Sequence, residues 1–240
     1  MQIIANSNEK NPTIVKSMFA SVAQNYDQAN SVLSLGIHHL WRKKLVSLVQ
    51  PKVGFKVLDC ATGTGDLAIA FKKSVGSDGV VIGTDFCEEM LAIAPHKAAK
   101  KHLDIQFQLA DVMSLPFQDN SFDISSISFG IRNVVNPVKG LSEMARVVKP
   151  GGKIVVLEFG QVSFPILGSL YNWYSQKILP KIGGVLTGQK KAYEYLQKTS
   201  ASFPCKEEFC QLMQTTGFFS KVTYHSLSFG IAYIYIGIKK

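Results

Sequence analysis

The sequence predicts an α/β fold: a mostly parallel sheet with helices on both faces and an antiparallel strand at its C-terminal edge. Three observations predict it. From Lys56 onward, short β-rich runs alternate with segments whose apolar residues recur at helical spacing. The β runs are nearly continuous in apolar residues, as strands covered on both faces are. The end of the chain breaks the alternation, placing two β runs either side of little more than Phe229-Gly230, which is the spacing of an antiparallel pair.

In order, residues 56–60 (KVLDC), 80–85 (VVIGTD) and 105–110 (IQFQLA) read as the first three strands. Residues 122–129 (FDISSISF) and 153–159 (KIVVLEF) read as the fourth and fifth. Helices are expected over 66–73, 88–101 and 138–148. Lys149-Pro150-Gly151-Gly152 should stop the last of these, since Pro cannot continue a helix and Gly tolerates the turn. Residues 222–228 and 231–238 form the closing pair. The organisation expected is one domain: a frayed arm at 1–13, a helical region at 14–50 and a core at 51–159. A helical insertion at 160–216 and the hairpin at 217–240 complete it.

A chain of 240 residues with 46% hydrophobic and 18% charged side chains can bury a substantial core, which argues against disorder. Its longest apolar stretch, 229–238, is too short to span a bilayer as a helix. The polar start lacks the apolar core of a signal peptide, so an intracellular protein is expected. Cys60, Cys87, Cys205 and Cys210 form no C-x-x-C pair and read as packing residues rather than a disulfide or metal set. The net charge of +9 comes from lysines spread along the chain, with no arginine-rich tract. That pattern disfavours a nucleic-acid partner and leaves an anionic membrane surface as a plausible one.

The loop Asp59-Cys60-Ala61-Thr62-Gly63-Thr64-Gly65 follows the first strand and precedes a helix. Its glycines permit a tight turn and close approach of backbone to ligand. Acidic residues close the first strand (Asp59) and the second (Asp85), and a third (Asp111) follows the third strand. Each stands at a carboxyl end, where open α/β sheets bind ligands. The set suits S-adenosyl-L-methionine better than a dinucleotide. That cofactor has no pyrophosphate; it needs a carboxylate for its ribose (Asp85, with Phe86 beside it) and an acceptor for its adenine amine (Asp111, with Val112 on the ring). Thr64 and the Gly63 and Gly65 backbone would lie near the methionine end. Taken singly, each aspartate also reads as a cap or turn residue.

On particular motifs the chain resembles the menaquinone/ubiquinone-biosynthesis C-methyltransferase family. They are MFASVAQNY at 18–26, LGIHHLWR at 35–42, ATGTGDLA at 61–68 and LPFQDNSFD at 115–123. ISFGIRN at 127–133 follows, then VVKPGG, LEF at 157–159, LPKIGG at 179–184 and YEYL at 193–196 leading to Ser202-Phe203-Pro204. The likeness spans about residues 14–240. It implies a class I S-adenosylmethionine-dependent methyltransferase fold, with the cofactor held by Thr64, Asp85, the Asp111–Val112 pair and Ser128. The chain departs from the family at His39, where Arg is usual. The first glycine of the general loop pattern is Ala61, as is common in the family.

Methylation of a ring carbon needs an electron-rich ring, which a reduced quinol becomes once a phenolic proton is lost. Arg132, just past the fourth strand, is the candidate for stabilising that phenolate, and Asn133 could orient the same oxygen. Asp66, His38 and Tyr26 are candidate proton acceptors, among which the sequence does not choose. Phe164, Tyr171, Trp173, Tyr174, Ile178 and Leu179 suit either a tunnel for a polyprenyl tail or plain packing. The resemblance implies demethylmenaquinol as acceptor, with a 2-polyprenyl-6-methoxy-1,4-benzoquinol as the alternative. An acceptor embedded in lipid implies peripheral association with the inner face of the cell membrane. A nicotinamide-dependent dehydrogenase and a non-catalytic subunit stand as readings from other classes, and the sequence is compatible with a homodimer.

Overall fold

The computed structural model describes residues 11–162 and 173–240. Seven strands form one sheet: β1 (Lys56–Cys60), β2 (Val80–Asp85), β3 (Gln106–Leu109), β4 (Phe122–Ser128), β5 (Val148–Phe159), β6 (Phe219–Leu227) and β7 (Ala232–Lys239). Their order is β3-β2-β1-β4-β5-β7-β6. Neighbours pair in parallel from β3 to β5, and β7 runs antiparallel to both β5 and β6. The strand order reverses between β1 and β4, opening a crevice beyond their carboxyl ends.

Alternation along the strands divides the core between two faces. Ile154 and Val156 of β5 join Leu141 and Met144 of α7 (Pro137–Arg146) and Phe209 and Met213 of α10 (Glu207–Gln214). Val155 and Leu157 face the other way, onto Trp41, Leu45 and Val49 of α3 (Ile37–Val49) and Phe71 of α4 (Asp66–Val75). Phe71 is fully buried, so truncating it to Ala should cost about 3–5 kcal/mol.

Before α3 come α1 (Pro12–Val22) and α2 (Tyr26–Leu33), joined by a 3₁₀ turn. After residue 172 come a π-helical turn at Tyr174–Ile178, α8 (Leu179–Thr187) and α9 (Lys190–Ser202). Here α2 packs on α8 and α9 on α8. The regions flanking the core in sequence thus meet above the carboxyl ends of the strands. Phe164 and Tyr171 lie outside the described residues.

Three local features differ from the sequence reading. The helix expected over 88–101 is two, α5 (Glu88–Leu91) and α6 (Ile93–Ala99). Pro95 has no N–H to give the carbonyl of Leu91, so it is accommodated only in the first turn of a new helix. The KPGG segment lies within β5, which begins at Val148, while α7 has already ended at Arg146. The register shift between Phe122 and Ile124 on β4 absorbs the irregularity. The closing connection is a 3₁₀ turn, Ser228–Gly230, with all three residues at positive φ.

Candidate active site

The loop after β1 sits at the reversal of strand order. It turns through positive φ at Ala61 (46°), Gly63 (57°) and Gly65 (85°) before entering α4. At Gly65 the φ of 85° favours glycine, and a Cβ would stand tight against Ala94 at 3.0 Å. Two buried carboxylates brace the loop. Asp59 accepts the Thr62 hydroxyl at 2.6 Å and the Ser126 hydroxyl at 2.7 Å. Asp85 accepts the Gly63 N–H at 2.8 Å and the Cys87 N–H at 2.9 Å. Burial pushes the Asp59 carboxyl up to about 6 and raises that of Asp85, the hydrogen bonds opposing it in both cases.

The remaining cofactor candidates stand around this loop. The Ser128 hydroxyl, at the end of β4, is buried with no hydrogen-bond partner. Such an orphaned polar atom beside a ligand loop fits a ligand that supplies the missing bond. Phe86 is half-buried, and Val112 is buried behind an exposed Asp111 whose carboxylate accepts the Met113 N–H at 2.8 Å.

The N-terminal helices close over the loop through a charged cluster. Thr64 donates its hydroxyl to Asp27 of α2 at 2.6 Å. Lys97 of α6 reaches Asp27 at 2.5 Å, Asp66 at 2.6 Å and Thr64 at 3.0 Å. Arg42 of α3 holds the other Asp66 oxygen at 3.0 Å. Burial pushes Asp66 up, but Arg42 and Lys97 together outweigh it and hold the carboxyl below its usual range. Asp27, Lys97 and Arg42 were not singled out from sequence. Asp27 and Lys97 lie 37 and 33 positions from Thr64, and only the fold brings them to it.

A cavity of about 630 Å³ opens from this loop. Tyr26, His38, Asp59, Gly63, Thr64, Asp66, Ser128 and Arg132 border it, together with apolar side chains of Trp41, Phe159, Ile182, Leu196 and Ile231. Gly65, Asp85, Phe86, Asp111, Val112 and Asn133 do not. The residues expected at the ribose and adenine therefore lie along the strand ends beyond this cavity. Asn133 is buried with both side-chain polar atoms unpartnered.

Arg132 is held by Glu158 of β5. Its guanidinium donates to the Glu158 carboxylate at 2.6 Å and to the Phe129 carbonyl at 2.6 Å, and the pair is only 4% and 1% exposed. The Arg132 Nε is buried without a partner. Burial raises the Glu158 carboxyl, against the pull of Arg132. Tyr26 is likewise raised by burial, so its phenol stays protonated at neutral pH.

His38 is driven down to about 4 by burial first and by Arg42 and His39 next, and is neutral at pH 7. The Ser34 hydroxyl lies 2.7 Å from the Asn30 carbonyl and 2.5 Å from His38 Nδ1, and so fixes the orientation of the ring. His38, His39 and Asp66 lie close enough to share a cation, but Arg42 and Lys97 already balance the Asp66 charge.

A doubly covered, mostly parallel sheet whose last strand in sequence is antiparallel, with two acids bracing a Gly-rich loop at its switch point, is the class I S-adenosylmethionine-dependent methyltransferase. Solved structures share the fold: a SAM-dependent methyltransferase from Thermotoga maritima (TM-score 0.67, 22% identity, 93% of this chain and 99% of that one). Another is from Aquifex aeolicus (TM-score 0.61, 20% identity, 83% and 89%). The chain belongs to the ubiE/COQ5 methyltransferase family, which matches residues 4–239. A Bdellovibrio bacteriovorus relative named ubiquinone/menaquinone biosynthesis C-methyltransferase is 63% identical over 98% of this chain and 100% of its own. A Deinococcus radiodurans demethylmenaquinone methyltransferase is 41% identical over 94% and 92%.

Proposed function

We propose that this enzyme methylates a ring carbon of a polyprenylated quinol, with demethylmenaquinol, giving menaquinol, as its principal acceptor. The observation that carries this reading is the cavity, which runs from Thr64 and Ser128 at the cofactor loop to the apolar walls of Ile182, Leu196 and Ile231. A planar ring with a hydrocarbon tail fits such a site. Described residues of the N-terminal helical region (14–50) and of α8 and α9 form its acceptor side, within a single methyltransferase unit.

S-Adenosylmethionine supplies an electrophilic methyl group on sulfur. Thr64, the Gly63 and Gly65 backbone and Ser128 hold its methionine end, Asp85 with Phe86 its ribose, and Asp111 with Val112 its adenine. Asp59 holds the loop in shape. Arg132 stabilises the phenolate that forms on the acceptor, in a site whose apolar walls exclude water, and Asn133 orients the same oxygen. Of the three candidate bases, Asp66 is committed to two cations and Tyr26 keeps its proton. His38, neutral and bordering the cavity, receives the phenolic proton. Its low basicity leaves most of the activation to Arg132.

The Bdellovibrio relative carries both quinones in its name, so the methoxybenzoquinol is the second acceptor to consider. Purified enzyme given labelled S-adenosylmethionine and each quinol decides between them. Transfer to the naphthoquinol alone supports the menaquinone reading; transfer to both makes the enzyme dual. Transfer to neither overturns the reading. With so apolar an acceptor and a charge of +9, the enzyme works on the inner face of an anionic membrane.

A further inference from the structure

Several of the exposed large apolar side chains, though not all of them, lie in segments that border the cavity. Val32 and Leu35 border the cavity themselves and are 44% and 93% exposed. Leu40 follows the cavity residue Ile37 by one helical turn, Trp173 precedes Tyr174, Val185 follows Ile182 by a turn, and Phe229 precedes Ile231 by two residues. All four are more than half exposed. The Tyr174 hydroxyl donates to the Leu33 carbonyl and Trp41 Nε1 to Ser228, which ties these segments together at the mouth.

Charge is segregated in the same way. Residues 28–50, 173–193 and 226–240 contain no Asp or Glu. On α3, Leu40, Lys43 and Lys44 are exposed opposite the buried Trp41, Leu45 and Val49. Trp173, Lys177, Lys181 and Val185 follow at four-residue intervals and are all exposed. An apolar rim flanked by lysines and free of acids is what an anionic bilayer interface accepts, the apolar groups entering the acyl boundary and the lysines meeting headgroups.

We infer that the mouth of the cavity is the membrane-docking face, seated on anionic lipid by Leu35, Leu40, Trp173 and Val185 with Lys43, Lys44, Lys177 and Lys181. The quinol ring then enters the site while its tail stays in the bilayer. This rests on the quinol-methyltransferase reading and adds the surface through which the acceptor arrives.

The test uses full-length enzyme and vesicles of phosphatidylcholine, with or without phosphatidylglycerol. Wild type should sediment with the anionic vesicles at low salt and be released at high salt. Lys177→Glu/Lys181→Glu and Val185→Asp should each weaken that binding about tenfold or more, given about fivefold per lysine near such a surface. Lys73→Glu, away from the mouth, should not. All variants should methylate a short-tailed, water-soluble quinol at the wild-type rate, and only the mouth variants should lose turnover on long-tailed quinol in vesicles. The docking face is overturned if wild type ignores anionic vesicles, or if Lys73→Glu is as damaging as the mouth variants. It is equally overturned if Val185→Asp converts a dimer to monomer without changing vesicle binding, which would make the patch an interface between copies. Failure of wild type on the soluble quinol would instead contradict the catalytic reading.

Discussion

Asp27 accepts the Thr64 hydroxyl at 2.6 Å, joining the second helix of the chain to the cofactor loop 37 residues later. Lys97 locks the pair by reaching both residues and Asp66. The N-terminal helices are thus tied to the loop proposed to hold the cofactor.

Lys97→Met should therefore raise the KM for S-adenosylmethionine about five- to thirtyfold with a smaller change in kcat. It leaves Asp27 and Asp66 without their shared counter-charge, the loss of a charge-assisted bond worth about 1–2 kcal/mol in a half-exposed cluster. Steady-state kinetics with the cofactor varied checks this. An unchanged KM would show that the cluster is a surface ornament.

Asp85→Ala removes the acceptor of two backbone N–H groups that shape the loop. Cofactor affinity should fall roughly ten- to a hundredfold, from the worth of bonds to a charged acceptor. Isothermal titration with S-adenosylhomocysteine measures it. Circular dichroism should remain that of the folded protein.

The Arg132–Glu158 pair separates a structural role from a catalytic one. Arg132→Met leaves a buried carboxylate uncompensated and should cost about 3–5 kcal/mol of stability. The double variant Arg132→Met/Glu158→Leu should recover most of that loss, because replacing both charges removes the desolvation problem. If Arg132 stabilises the phenolate, the double variant regains its melting temperature while kcat stays down about a hundredfold or more. Recovery of turnover along with stability would assign Arg132 to the fold alone.

His38 makes stability fall with acid. Its pKa is about 4 in the fold against an unfolded value of 6.5, so the unfolded chain binds a proton that the folded one refuses. Its contribution is present above pH 6.5 and is lost as pH falls from there towards 4, by up to about 3 kcal/mol. Asp59, raised from 3.8 to about 6, acts in the opposite sense: its contribution is full below 3.8 and lost as pH rises through 6. The difference between wild type and His38→Gln isolates the histidine. Thermal melts from pH 7.5 to 4.5 should show the wild type losing more stability than the variant, and parallel curves would contradict the neutral imidazole.

The sheet was legible because its strands are short, nearly continuous apolar runs alternating with segments of helical spacing. The loop acids were legible because three carboxylates stand in register at the ends of successive parallel strands, although each alone reads as a cap or turn residue. What the sequence hid was pairing at a distance. Pro95 does announce the split of the helix over 88–101, if its missing N–H is followed back to Leu91. Glu158 also left a signal: an acid within the apolar run KIVVLEF requires a buried cation, and Arg132 was already in hand. Asp27 and Lys97 left none, since each reads locally as an ordinary surface charge on a helix.

The most direct test of ring-carbon methylation is to give the enzyme trideuteromethyl-labelled S-adenosylmethionine with a demethylnaphthoquinone, once reduced to the quinol and once oxidised. The product is then read by mass spectrometry and carbon NMR. The expected result is a trideuteromethyl group on the ring carbon beside the hydroxyl, formed only from the quinol. A label found on oxygen, or equal transfer to the oxidised quinone, would contradict phenolate-driven C-methylation.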